Sequence, residues 1–456
     1  MRLDRRELLR ASIGVAFWAR GPAGMAQSTG PDGFSLLRAG RGEAQLVAAP
    51  APPTRVLGYA ARTPGPLLRL RLGEELKVRL VNGLQEPTTL SWPGLRMANA
   101  IAGIGGLTQS ALAPGASAQI RFTPSDSGFN LYRPHAGAAT AGQIARGLYG
   151  PIIVDEASPP AVDLDLVAVL SDWRLDADGQ IREDFADPAT SRGAGRTGAI
   201  ISVNGAPQPL TASLAPGARV RLRLANAANA RVMIVGIEGV KPLIIAIDGQ
   251  PCETFAPLRD MFPMGPAARF ELMFDMPRDA GAVRFILKGG DAGAFPGEAD
   301  RPLIVLSAAG EALAARPPFT RLDANPRLPA EIDLARATRA DITIAGGGST
   351  AFSINGASNS DWPAKPLFTV AKGTPVTIGL INKTSAAQAI RLHGHCMRLL
   401  HAMDDGWEPY WRDVALVAPG KTVHAAFVAD NTGKWPIESA IPEHQAAGVM
   451  SWFEVR

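Results

Sequence analysis

Residues 67–84 read LLRLRLGEELKVRLVNGL, residues 218–227 read ARVRLRLANA, and residues 374–383 read TPVTIGLINK. In all three, apolar and polar residues alternate, the period-two pattern of a strand with one face toward a core. Each run follows a glycine or a Pro/Gly turn and ends at an asparagine, Asn82, Asn226 or Asn382, before a polar turn. The unit returns at intervals of roughly 150 residues, which marks an internal repeat with one copy per domain. Pro-rich joints at 157–162 and about 316–329 separate the copies, so domains are expected at 30–156, 160–315 and 325–456. Helical periodicity is scarce outside 139–148 and the C-terminus. Three consecutive β-sandwiches, all-β, are the predicted architecture, with the first packed against the third.

The bulk properties agree. Glycine (48) and proline (38) are abundant and only 19% of residues are charged, a mixture that favours short strands and tight turns over long helices. The formal charge of +4 shrinks once residues 1–26 are set aside, because five Arg there against one Asp and one Glu supply +3. What remains is close to neutral, which argues against a nucleic-acid partner. Cys252 and Cys396 are expected as two buried free thiols; an oxidising compartment would also permit a bridge between them.

The N-terminus, MRLDRRELLRASIGVAFWARGPAGMAQS, places Arg5 and Arg6 before a weakly apolar stretch and small residues at 23–26. This is an export signal of the twin-arginine type, so residues 1–26 are expected to be removed and the protein to reach the periplasm folded, after contact with the twin-arginine translocase. No later stretch reaches 18 uninterrupted apolar residues, so stable membrane insertion is not expected.

Four segments carry a family resemblance: TPGPLLRLRLGEELKVRLVNGLQEPTTLSWPGLRM (63–97), SGFNLYRPHAGAATAGQIARGLYGPIIVDE (127–156), QAIRLHGHCMRLLHAMDDGWEPYWRD (388–413) and GKWPIESAIPEHQAAGVMSWFEV (433–455). In order and spacing they resemble the four metal-ligand motifs of the three-domain multicopper oxidases. SVNGAPQP (202–209) and IAIDGQP (245–251) are similar to second-domain segments of the same family. The resemblance implies three cupredoxin-like Greek-key sandwiches. It also implies four coppers: a type 1 centre held by two His, a Cys and a weak axial Met, and a trinuclear cluster held by eight His between the first and third domains.

Aligned on those motifs, most ligand positions carry other residues. Ser91 and Pro93 stand in the first His-Trp-His, and Arg133 stands before a retained His135 in the second motif. Gln388 and Arg391 replace two His of the third motif, where His393 remains. In the fourth, Glu438, Ser439 and Ala440 take the His-Cys-His places, His444 is retained, and Val449 takes the axial position. Serine supplies no thiolate, and arginine keeps its proton and cannot ligate metal, so the resemblance implies that neither a type 1 nor a type 2 copper site is present. Met450, His395, His401 and His424 match no ligand position and are expected as packing, hydrogen-bonded or surface residues.

In the family, the places of His135, His393 and Glu438 serve one type 3 copper. Two readings follow for this chain. Glu438 pairs with Arg133 or Arg391, the guanidinium standing in for lost metal charge. Alternatively, His135, His393 and Glu438 hold a single copper, zinc or iron ion. The expected function on the first reading is a non-catalytic periplasmic binding or scaffold protein without cofactor. That resembles the copper-free, division-associated branch of the superfamily, with a periplasmic protein as partner. On the second it is a metal-dependent oxidoreductase of the multicopper oxidase family with a reduced metal site.

Overall fold

The computed structural model describes residues 30, 32–185, 187–279, 281–295, 297–401 and 406–456; the export segment expected at 1–26 lies outside them. The three repeat strands occupy the same place in three successive units. Leu76–Asn82 lies parallel to Ser35–Ala44 and antiparallel to Ser117–Phe122. Arg219–Asn226 stands in the same way between Leu164–Trp173 and Arg269–Asp275, and Thr374–Asn382 between Thr338–Gly347 and Thr422–Ala429.

The asparagine that ends each repeat explains why the sequence keeps it. Asn226 Nδ2 donates to the carbonyls of Arg231, Met264 and Gly265, while its Oδ1 accepts the N–H of Ala228. Asn82 and Asn382 repeat the device: each accepts an N–H two residues on and donates to carbonyls of two separate segments. All three side chains are buried. A short amide with one acceptor and two donors closes the corner where the strand leaves the sheet, and leaves few backbone groups unpaired there.

Each unit is two facing sheets: four and three strands in the first, six and five in the second, five and five in the third. Their inner faces meet in separate apolar cores, such as Leu37, Val78 and Ile152 in the first unit and Leu222, Leu272 and Phe285 in the second. The architecture is the expected all-β stack. The helices Ala139–Ala145 and Pro442–Ala446 occupy the two places where helical periodicity was visible. Cys252 and Cys396 are buried free thiols and form no bridge. No described helix is long and apolar enough to cross a membrane.

The first and third units close on one another. Ala102 and Ile104 of the first unit lie inside the apolar core of the third. Around this contact, Asn99 Nδ2 donates to Lys434 O, Trp362 Nε1 to Gly105 O, and Asn431 Nδ2 to Met97 O. The second unit is tied in by charge. Arg221 and Arg223, on the polar face of the repeat strand, are 2% and 1% exposed. They bind Glu271 within their own sheet, Glu156 of the preceding joint and Asp165 of the adjoining strand.

Replacing Asn382 by alanine strands several of these buried backbone groups, at about 1–3 kcal/mol for each group left unpaired. Asn382→Ala is therefore expected to cost about 3 kcal/mol in urea or thermal unfolding, and Lys383→Ala, on the exposed neighbouring side chain, less than about 0.5 kcal/mol.

Candidate metal centre between the first and third units

His135 follows the strand Gly128–Tyr132 and is held before its ring is considered. Its N–H donates to Thr89 Oγ1 at 2.8 Å and its carbonyl accepts Gly105 N–H at 2.9 Å. Trp362 of the third unit stacks on the imidazole, with ring centroids 5.7 Å apart and planes 18° off parallel. His393 follows the strand Gln388–Leu392 and donates its N–H to Pro436 O at 3.0 Å. The next residue, Gly394, has φ +70°, and a Cβ there would lie 2.5 Å from the Trp435 ring, so this turn admits only glycine. Glu438 lies on the neighbouring strand Gly433–Ser439, directly across from Arg391.

The three side chains converge. Glu438 Oε1 lies 2.7 Å from His135 Nε2 and 3.0 Å from His393 Nε2, and Oε2 accepts from Gln445 Nε2 at 3.0 Å. One ligand atom from each residue falls within 4.8 Å of the others, and all three residues are buried. His135 Nδ1 has no hydrogen-bond partner, which places the imidazole proton at Nε2, facing Glu438, since an unpaired buried donor costs more than an unpaired acceptor. Gln445 Nε2, 3.1 Å from the same His135 nitrogen, is then a close contact only. His393 Nε2 is near Oε1 but out of hydrogen-bonding line, so it too lacks a partner.

Burial opposes the charge of Glu438, but the His135 and His393 imidazoles more than offset it and hold the carboxyl well below the usual carboxylate range. Burial pushes the His393 imidazole down to about 4. The result is an ionised carboxylate between two imidazoles, closed off from water. An N,N,O donor set of this kind suits a borderline divalent ion such as zinc, iron or copper.

The Arg–Glu pair expected from the sequence does not form. Arg391 turns instead toward Asp413, with Nε 3.6 Å from Oδ2, and no ion pair joins Arg133 to Glu438 among the described residues. The short, rigid imidazoles reach Glu438 first. Asp413, already bonded to Arg269 at 2.9 Å, offers Arg391 a second buried carboxylate. Ser91 Oγ donates to Arg133 O at 2.7 Å, and Pro93, Arg133 and Arg391 line one small cavity.

The type 1 positions have also found partners within the protein. His444 Nε2 lies 3.0 Å from Gly193 O and its Nδ1 lies 3.1 Å from the Gln388 amide. Burial pushes this imidazole down to about 4, so it is neutral and carries one proton. That proton goes to Gly193 O, and Gln388 must turn its amide nitrogen toward Nδ1. Ser439 Oγ accepts Ile441 N–H at 3.2 Å, Ala440 is buried beside it, and Val449 belongs to the apolar core of the third unit. Ser439, Ala440 and Val449 offer no soft donor beside His444, and the set does not suit a type 1 copper.

His395 is a packing residue, as expected. Its Nδ1 donates to His393 O, its Nε2 accepts from Asn431 N–H, and Phe427, Trp435 and Phe453 surround it. His401 is half-buried and His424 exposed, both away from the centre. Sequence reasoning overlooked Gln445, Trp362, Asp413, Arg269 and Asp248. Asp413 and Asp248 sit inside quoted segments, but neither is a motif position, so nothing singled them out.

Two family models, both described as multicopper oxidase, match residues 43–159 and 323–456. Multicopper oxidase MmcO of Mycobacterium tuberculosis is 28% identical over 99% of this chain and 96% of its own length. A crystal structure of a multi-copper oxidase from Pseudomonas thermotolerans superposes with TM-score 0.81 at 29% identity, covering 92% of this chain and 98% of that one. The structure of Lac15, from a marine microbial metagenome, gives TM-score 0.75 at 30% identity, covering 92% and 99%.

Two measurements test this geometry. Glu438→Gln removes a charge-assisted hydrogen bond and is expected to lower stability by about 2 kcal/mol at pH 7 with no metal present. The penalty should persist down to about pH 4.3 and shrink below it, because a depressed carboxyl contributes stability above its unfolded pKa and loses it as pH falls. His444 behaves in the opposite chemical sense with the same outcome: below about pH 6.5 the unfolded chain takes up a proton that the folded one refuses. Wild-type stability should therefore fall more steeply between pH 6.5 and 4 than that of His444→Gln, measured by urea titration.

Proposed function

Because the chain belongs to the multicopper oxidase family, we propose that it is a metal-dependent oxidoreductase of that family working through one metal ion at His135, His393 and Glu438. The observation that carries this is the buried imidazole–carboxylate–imidazole cluster, in which His393 Nε2 faces its neighbours without a hydrogen bond. Residues suited to four coppers are not there: Ser91, Pro93, Arg133, Gln388, Arg391, Ser439, Ala440 and Val449 supply no copper ligand, and His444 is engaged with Gln388 and Gly193. One ion fits three donors; four do not.

A bound redox-active ion would supply one-electron exchange. The protein's own part is to hold a full negative charge on Glu438, to present two imidazoles whose backbones are fixed, and to keep water out with Trp362 and Gln445. Without a cysteine at the type 1 position, no thiolate route leads electrons toward the centre. The reaction is therefore expected to differ from the reduction of oxygen to water by four coppers. The twin-arginine pattern of residues 1–26 supports a periplasmic site of action.

A second reading is favoured by one observation: Gln388 and Ser439 fill former ligand places with side chains that have settled into protein hydrogen bonds. On it, the protein is a copper-free periplasmic binding or scaffold protein with a protein partner. Elemental analysis of protein purified from periplasm and re-equilibrated with copper, zinc or iron separates the two. One ion per chain, lost in His393→Ala and in Glu438→Gln, is expected, without the intense blue absorption of a thiolate-bound copper. No stoichiometric ion in any preparation would leave only the second reading. Ser439→Cys alone is expected to give no blue centre, since Gln388 still offers an amide where an imidazole is needed.

A further inference from the structure

Beside the metal centre, a cavity of about 10 Å³ lies where the three units meet. Arg133 of the first unit, Arg269 of the second and Arg391 of the third all line it, and no carboxylate does. The rest of the wall is apolar or already engaged: Asn226, for one, spends its amide on three backbone carbonyls. We propose that this cavity is a binding site for a single monatomic anion, with chloride as its ordinary occupant.

Three positive groups surround one small space, and among the described residues only two carboxylates, Asp413 and Asp248, form ion pairs with them, both with Arg269 and one of them, Asp413, also with Arg391. Asp413 is hydrogen-bonded to Arg269 Nη1 at 2.9 Å and only approaches Arg391 Nε, at 3.6 Å. Asp248 lies 3.7 Å from Arg269 Nη1 and spends its oxygens on the backbone N–H groups of Arg269, Asp413 and Val414. Glu438 is taken by His135, His393 and Gln445.

The donors left over are specific. Arg391, 1% exposed, keeps both Nε and Nη1 without a partner, and Arg269, also 1% exposed, keeps Nε. The Arg133 guanidinium lines the same cavity from the first unit. Buried N–H groups on a cation are among the costliest to leave unmet. A water molecule would offer two lone pairs and no charge. A spherical anion accepts from all directions at once and adds a negative charge where three guanidinium groups face two carboxylates. The volume, about 10 Å³, leaves room for one small occupant and none for phosphate, sulfate or carboxylate ligands.

Crystals of the full chain grown in sodium bromide test this directly. An anomalous difference peak in contact with the guanidinium nitrogens of Arg391 and Arg269 is expected. Water density there without an anomalous signal, or no density, overturns the proposal. In solution, sodium chloride should raise the melting temperature by about 1–2 °C over sodium gluconate at equal ionic strength, saturating with concentration. Arg133→Gln, at a half-buried position, should fold and lose that chloride-specific increment. A wild type that melts identically in both salts counts against the site.

Discussion

Arg269 donates to Ala267 and Asp248 of its own unit, to Asn130 of the first and to Asp413 of the third. A planar guanidinium with five donors can face three directions at once, and here each direction belongs to a different sandwich. Once this cation is buried at 1% exposure, the acceptors must be brought to it, because an unpaired charge in that position costs far more than any single apolar contact returns. Backbone approaches as close as that of Gly94, where a Cβ would fall 2.2 Å from Asn130 Oδ1 and 2.4 Å from Arg269 Nη2, follow from this demand. So does the placement of Asp248, at the positive-φ position of an Asp-Gly hairpin turn, with both oxygens on backbone N–H groups.

The candidate metal centre depends on that junction. Asp413, held by Arg269, draws Arg391 toward itself and away from Glu438, although Arg391 and Glu438 are directly opposite on adjacent strands. Glu438 is thereby left to the imidazoles of His135 and His393. Had Arg391 bridged to Glu438, the carboxylate would have been neutralised by a cation and unfit to hold a metal. A contact outside the donor set therefore decides whether the donor set can act.

The type 1 region follows a different physical course. His444, Gln388, Gly193 and Ser439 satisfy one another with neutral hydrogen bonds, and Val449 closes the place with apolar packing. Such a site is stable as it stands and leaves no buried donor asking for an ion. The cluster at Glu438 and the arginine cavity are different, since each retains buried polar atoms without partners. Unmet polar groups, more than motif identity, distinguish places that can take a ligand from places that cannot.

The amino-acid sequence by itself determined the strands and their repetition. Alternation at 67–84, 218–227 and 374–383, with a closing asparagine, is local information, because side-chain direction along a strand has period two whatever lies nearby. It also determined which residues occupy the motif places, including the convergence of His135, His393 and Glu438, because the family's order and spacing carry over into the fold. It could not determine which face of a strand meets water. Arg221 and Arg223 lie on the polar side of the alternation, yet they are buried in an ion-pair ladder. Nor could it choose the partner of Glu438. That choice rests on competition among His135, His393, Arg391, Gln445 and Asp413, groups drawn from separate stretches of chain. Only the docking of the third unit on the first and second sets the distances on which hydrogen bonding and charge pairing turn.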